Sequence, residues 1–130
     1  MNLASSDRRV EVYHLIVDQA PDAIIFADLK GLIQVWNDAA AKLFGYPAEE
    51  AIGRSLDIII PEHLRRAHWE SYEKALDFGQ TSHGRRALKT RAVHKAGHKL
   101  YVSLAFSVVK DRDGKAIGAM ATAREFAEKL

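Results

Sequence analysis

The chain reads as an α+β domain, and three observations carry that reading. Two strand patterns, AIIFAD and LIQVW, flank the turn DLKG near the start. A run of short capped helical segments and one longer helix come next, and three further strand patterns close the sequence. A length of 130 residues suits one domain, which at this size buries roughly two-thirds of the surface its unfolded chain exposes.

Residues 7–19 carry apolar side chains at Val10, Tyr13 and Val17 on one helical stripe and at Val12, Leu15 and Ile16 on another. Such a helix can lay one face on its own domain and needs a partner for the other, most simply a second copy of the chain. Residues 23–28 and 32–36 are rich in β-branched and aromatic side chains, and the Asp and Gly of DLKG supply a tight connection, so they are predicted to pair as a hairpin. Asn37 is a good N-cap for DAAAKLF, which Gly45 ends. Pro47 at a first helical position, with Glu49 and Glu50 behind it, opens a second short helix that closes near Gly53. Residues 55–60 form an apolar run stopped by Pro61. Residues 62–78 then read as one connecting helix ending at Gly79.

Three strands are predicted at 86–94, 99–109 and 116–124, with turns at KAGH and DRDG. The middle one alternates: Leu100, Val102, Leu104, Phe106 and Val108 share a face expected to line the interior, while Ser103, Ala105 and Ser107 face away. REFAEKL reads as the beginning of an exit helix. The expected organisation is a flanking, dimerising helix at 1–19, a domain at 20–125, and the start of a linker or exit helix at 126–130.

Hydrophobic residues make up 48% and charged ones 28%, a globular balance. The absence of cysteine excludes disulfides, thiolate nucleophiles and cysteine-bound zinc or iron–sulfur centres. No eighteen apolar residues run together and no signal-peptide pattern opens the chain, so a soluble, cytoplasmic domain is expected. The net charge of +2 hides a basic arm: Arg85, Arg86, Lys89, Arg91, Lys95, Lys99 and Lys110 fall in a stretch with no acidic residue between Asp77 and Asp111. A solvated face explains such a run. Nucleic-acid binding is the competing reading, but the arm lacks interleaved stacking residues and no helix-turn-helix pattern is present. Catalysis is not expected: no P-loop, G-x-S-x-G or H-E-x-x-H occurs, and His63 and His68 are about 140° apart on a helix. His94 and His98 flank the KAGH turn and can face each other, which offers at best an adventitious metal site.

The segments QAPDAIIFAD, GLIQVWNDAAAKLFGY, EEAIGRSL, IIPEHLR and HKAGHKLYVSLAFSVVKDRDGKAIG, in this order and spacing, resemble the PAS domain family from about residue 15 to 125. The resemblance implies a five-stranded antiparallel sheet in spatial order 2-1-5-4-3, helices cupped over one face, and a cavity between them. It also implies a sensory role in signal transduction, as in two-component systems, with flanking helices passing the signal to an effector such as a kinase, a cyclase or a transcription regulator. Members usually carry an Arg-Asp pair at the end of the last strand; this chain has Arg124–Glu125 there.

Without cysteine, the thiol-bonded chromophores of the photoreceptor branches are excluded, and haem b becomes the leading ligand. Leu64, His68, Tyr72 and Leu76 recur every four residues of the connecting helix, so an imidazole is expected in an apolar stripe facing the cavity. PEHLRRAH resembles the segment of the rhizobial FixL-type oxygen sensors that ends in their proximal haem histidine, which makes His68 the candidate iron ligand. The same resemblance puts Lys74 where a basic residue lies near a haem propionate, and Leu104 and Phe106 beside the gas-binding face. Leu88 takes the place of a distal arginine, for which His83 or a neighbouring arginine is the candidate substitute. Two alternatives stand beside haem. One is FAD against Trp36 and Asn37. The other is a PAS dimerisation or interaction module whose cavity is empty or filled by Phe26, Phe44, Tyr72 and Phe106.

Overall fold

The computed structural model describes residues 3–81, 84 and 86–126. Its elements run α1 (Leu3–Gln19), β1 (Ala23–Asp28), β2 (Ile33–Trp36), α2 (Asp38–Phe44), α3 (Ala48–Ala51), the 3₁₀ turns η1 (Leu56–Ile59) and η2 (Glu62–Leu64), α4 (Arg65–Phe78), β3 (Leu88–Val93), β4 (Lys99–Lys110) and β5 (Ala116–Glu125). All strand pairs are antiparallel and the sheet order is β2-β1-β5-β4-β3, as the resemblance implied.

The β1–β2 turn closes around Asp28. Its Oδ1 accepts from the backbone N–H of Lys30 (2.9 Å) and Leu32 (3.1 Å), and its Oδ2 accepts from the Gln34 side chain (3.0 Å). Gly31 completes the turn at φ +78, a conformation that costs a side-chain-bearing residue about 1–2 kcal/mol. α2 begins and ends as its sequence dictates: Asn37 Oδ1 accepts from Ala40 N–H, and Gly45 at φ 84 donates its N–H to Ala41 O. Asn37 does more than cap. Its Oδ1 also accepts from Ile24 N–H (2.8 Å), and its Nδ2 donates to Val17 O (2.8 Å) and Asp22 O (3.0 Å). One amide, 1% exposed, therefore joins the end of α1, the linker, β1 and α2.

The core fills the space between the sheet's inner face and the helices. Ile25, Ala27, Ile33, Trp36, Val102 and Ala123 from the strands meet Ala40 and Phe44 of α2, Ala51 of α3 and Leu56 of η1. Val102 and Leu100 are buried on β4 and Ser107 is exposed, in keeping with the alternation of that strand.

Four local expectations need correction. The connecting helix is not continuous from 62: η2 comes first, and Leu64 at φ −101, ψ −7 separates its tighter winding from α4. Pro47 is the N-cap residue of α3 rather than its first helical residue, with φ −66, ψ 155. Strand β5 continues through Arg124 and Glu125, which pair with Ser103 and Val102, so an exit helix does not start there; residues 127–130 lie outside the described residues. Finally, α1 lays neither stripe on the domain: Val10, Tyr13 and Ile16 are 67%, 62% and 60% exposed, and Val12 and Leu15 are both 44% exposed. Only the end of α1, near Val17, meets α2, because Asn37 holds that end and β1 turns the chain away from it.

The Arg124 guanidinium pairs with Asp22 rather than with its neighbour Glu125, at 2.8 Å from Nε and 2.7 Å from Nη2. A polar junction thus connects the end of β5 to the linker after α1. No described helix is long and apolar enough to cross a membrane.

Candidate functional site

A cavity of about 80 Å³, partly open to solvent, lies between the inner face of the sheet and the helices. That is below the ~300–1,000 Å³ of typical small-molecule sites, so a ligand of that size would have to widen it. Its roof is Leu56 and Ile59 of η1, Ile60 and α4; its walls and floor are Ile25 and Ala27 of β1, Phe44 of α2, Ala92 of β3, Val102, Leu104 and Phe106 of β4, and Ala119 and Ala121 of β5. Arg91 and Met120 also border it, but the register pairs them with Tyr101 and with Phe26 and Ser107, on the opposite face, so they contribute backbone.

Two polar side chains reach this apolar space, His68 and Tyr72, one helical turn apart on α4. Their ring centroids are 5.7 Å apart, and the Trp69 ring lies edge-on to both, at 4.6 Å from His68 and 5.3 Å from Tyr72. The Tyr72 hydroxyl lies within donating distance of two carbonyls at the end of β1, Ala27 O (3.0 Å) and Asp28 O (2.7 Å). Burial, together with the Asp28 carboxylate, pushes the phenol up to about 12. Trp69 donates its indole N–H to Asp57 Oδ1 (2.8 Å), and its ring occupies the space a Cβ on Gly31 would need. Each aromatic neighbour of His68 therefore has its polar atom engaged.

His68 does not. Its Nδ1 is buried with no hydrogen-bond partner, the one such side-chain atom among the described residues. Burial holds the imidazole below its ordinary value, against the opposing pull of the Asp57 carboxylate, so the ring is neutral at neutral pH and keeps a lone pair. An unpaired imidazole in an apolar cavity is a donor set that suits an iron porphyrin: one nitrogen ligand, and apolar walls. His68 would hold the metal, and Leu104, Phe106, Ile59 and Ile60 would pack on the ring system.

The other expected site residues are placed differently. Leu64 and Leu76 are half-buried but do not border the cavity: Leu64 precedes the α-helix in the 3₁₀ turn, and Leu76 is two turns, about 12 Å, beyond His68. Lys74 is exposed and does not border it, being about 120° around α4 from His68. His83 lies outside the described residues. Phe26 cannot fill the space, since the register puts it opposite Met120 on the other face of the sheet; Phe44, Tyr72 and Phe106 do border it. For a flavin, Trp36 and Asn37 offer little: Trp36 is 4% exposed with its indole N–H on Tyr46 O (2.9 Å), and the Asn37 amide is fully engaged. Residue-by-residue reading missed Ile59 and Ile60 at the end of η1 and the alanines of β5. The alternation Ala119, Ala121, Ala123 was the signal for the latter.

Outside the cavity, His94 and His98 stack at 4.4 Å across the β3–β4 turn, and among the described residues no group of three or more His, Cys, Asp or Glu could hold a metal ion. Within the basic arm, Lys95 pairs with Glu50 (2.7 Å) and Lys89 lies over the Phe126 ring; Arg85 is outside the described residues.

The chain is similar to known proteins in sequence and in fold. It is 44% identical over 57 residues to the sensor protein FixL of Bradyrhizobium diazoefficiens, covering 44% of this chain and 11% of that protein. It is 27% identical over 110 residues to the oxygen sensor protein DosP of Escherichia coli, covering 84% of this chain and 14% of that protein. The chain thus spans a small part of the curated relatives it matches. The crystal structure of the PAS domain of a protein from Colwellia psychrerythraea superposes with a TM-score of 0.78 at 23% identity, over 91% of this chain and 97% of that one. Residues 11–126 match the PAS fold as a family, and the chain belongs to the PAS family.

Proposed function

We propose that this PAS domain is a gas- or redox-sensing module whose cavity holds haem b with His68 as the axial ligand. The observation that carries the reading is the buried, unpartnered Nδ1 of His68 at an apolar cavity. The likeness to FixL and DosP, named as a sensor protein and an oxygen sensor protein, supports it.

When bound, a haem supplies an iron with an axial position for a diatomic gas and a reversible redox couple. This chain's residues would do the rest. His68 is kept neutral by burial and so keeps its lone pair, while the Trp69 ring edge-on to it and the tilted Tyr72 ring limit its rotation. Leu104 and Phe106 keep the opposite wall apolar, and Leu88, paired with Leu104 on the inner face, offers no hydrogen bond where the FixL-type sensors have an arginine. Occupancy would bias the packing of α4 against the sheet and reach the flanking segments through Asn37 and the Arg124–Asp22 pair. The exposed apolar residues of α1 support a homodimer through that helix, and an effector domain is the expected recipient of the signal.

Reconstitution with hemin tests the reading. A Soret band that appears with the wild type and is lost or shifted in His68→Ala supports it. A band unchanged by the substitution removes His68 as the ligand. No band at all leaves the second reading, a dimerisation module, which the exposure of α1 favours.

A further inference from the structure

The central strand β5 shows the cavity its smallest side chains. Ala119 and Ala121 face inward, and their cross-strand partners on that face are larger or equal: Ala27 on β1 and Val108 on β4 for Ala119, Ile25 and Phe106 for Ala121. The row through Ala121 is lowest in the middle and the row through Ala119 rises only toward Val108, which makes a trough along β5. Its two flanking backbones are two strand spacings apart, about 9–10 Å. At one end the trough is closed, where Ala123 is 2% exposed. Ala119 and Ala121 border the cavity and remain partly exposed although they point inward, with Tyr72 of α4 close to Ala119. Alanine is also a poor strand former, so stability alone would favour Val or Leu at these two central positions. His68 faces the trough from the roof.

We infer that Ala119 and Ala121 determine which ligands the cavity accepts, and that the class accepted is a flat, apolar ring system lying on the β5 trough with a ligating atom toward His68. The inference rests on the reading above for the cavity being a ligand site, but not on the ligand containing iron. A leucine at either position would stand where the ring must lie. It would also fill space that the ligand-free domain leaves open, so it should not destabilise that domain.

The opposite signs of these two effects make the test. Wild type, Ala119→Leu, Ala121→Leu, the smaller Ala121→Val and His68→Ala are titrated with hemin and with metal-free protoporphyrin IX, and each is melted without ligand. The expected result is that both Leu variants weaken both porphyrins by at least about tenfold, with Ala121→Val intermediate, while their ligand-free melting temperatures equal or exceed wild type. His68→Ala should weaken hemin and spare protoporphyrin IX. Porphyrin affinities of the Leu variants within about threefold of wild type overturn the inference, as does a ligand-free melting temperature lowered in both Leu and Val variants, which would show the space to be filled already. Wild type that binds neither porphyrin overturns the flat-ring class. If protoporphyrin IX follows the trough variants while hemin ignores His68→Ala, the iron ligation fails and the trough inference stands.

Discussion

Replacing His68 by leucine should raise the stability of the ligand-free domain while abolishing metal binding. A polar atom buried without a partner costs about 1–3 kcal/mol, and because the ring keeps part of its surface open the low end applies, so the expected gain is about 1 kcal/mol. In a domain of this size that is roughly 3–5 °C in melting temperature. The gain should depend on pH with a definite sign. Burial holds the folded-state value of His68 below its ordinary 6.5, so between the two values the unfolded chain binds a proton that the folded one does not. The stability contributed by neutral His68 is therefore complete above about 6.5 and is lost as the pH falls through the folded value, at up to about 1.4 kcal/mol per pH unit. The variant lacks this loss, and the gap between the two melting curves should widen on acidification. Thermal and urea melts of both proteins between pH 5 and 8 read it directly. A variant that melts several degrees below wild type at neutral pH, or a gap indifferent to acid, would show that the imidazole makes stabilising contacts, and the argument for an unemployed ligand would fall.

Gly31→Ala combines a positive φ with collision against Trp69, whereas Gly53→Ala has a positive φ and open space around it, so urea unfolding should show Gly31→Ala costing about 1–3 kcal/mol more than Gly53→Ala; equal losses would mean Trp69 is free to move. Tyr72→Phe should cost about 1–2 kcal/mol through loss of its bonds to the end of β1, and the phenol absorbance that titrates near 12 in wild type should disappear with it. Because that phenol is raised, its contribution is complete below about 10 and is lost as the pH climbs toward 12. Asn37→Ala removes a cap and three further bonds at once and should cost more than about 3 kcal/mol, the largest loss of this set in denaturant unfolding. Removing residues 1–15 should convert a dimer into a monomer by light scattering; an unchanged mass would place any dimer contact elsewhere.

Most of the fold was legible because its punctuation is local. Asn37, Gly45 and Gly79 bound their helices for reasons contained in a few residues, and the Asp28–Gly31 turn joins the two strands it separates in sequence. The sheet order was not legible this way: periodicity locates strands, and only the likeness to a family arranged them. Where local reading failed, a nonlocal contact decided. Residues 124–125 resemble a helix start, but pairing with Val102 and Ser103 keeps them in the sheet. The two stripes of α1 gave no means of telling a helix packed on its domain from one held only at its end by Asn37, twenty residues away from Val17.

The site was half legible for a physical reason that separates its two kinds of residue. His68 stands out in sequence because an imidazole in an apolar stripe is chemically conspicuous, and Tyr72 follows from helical spacing alone. The same spacing over-reached to Leu64 and Leu76, since a four-residue repeat says which face a residue takes but not where a cavity ends along the axis; the 3₁₀ turn at one end and about 12 Å of helix at the other take those leucines out of it. The floor posed the harder problem. A cavity is defined by atoms that are absent, and an alanine in a strand is equally consistent with tight packing, as at Ala123, and with open space, as at Ala121. Only the register tells them apart, because it shows which bulky neighbours lean over each methyl group. Chemical function can be read from single residues, whereas the room in which it acts depends on the strands being assembled.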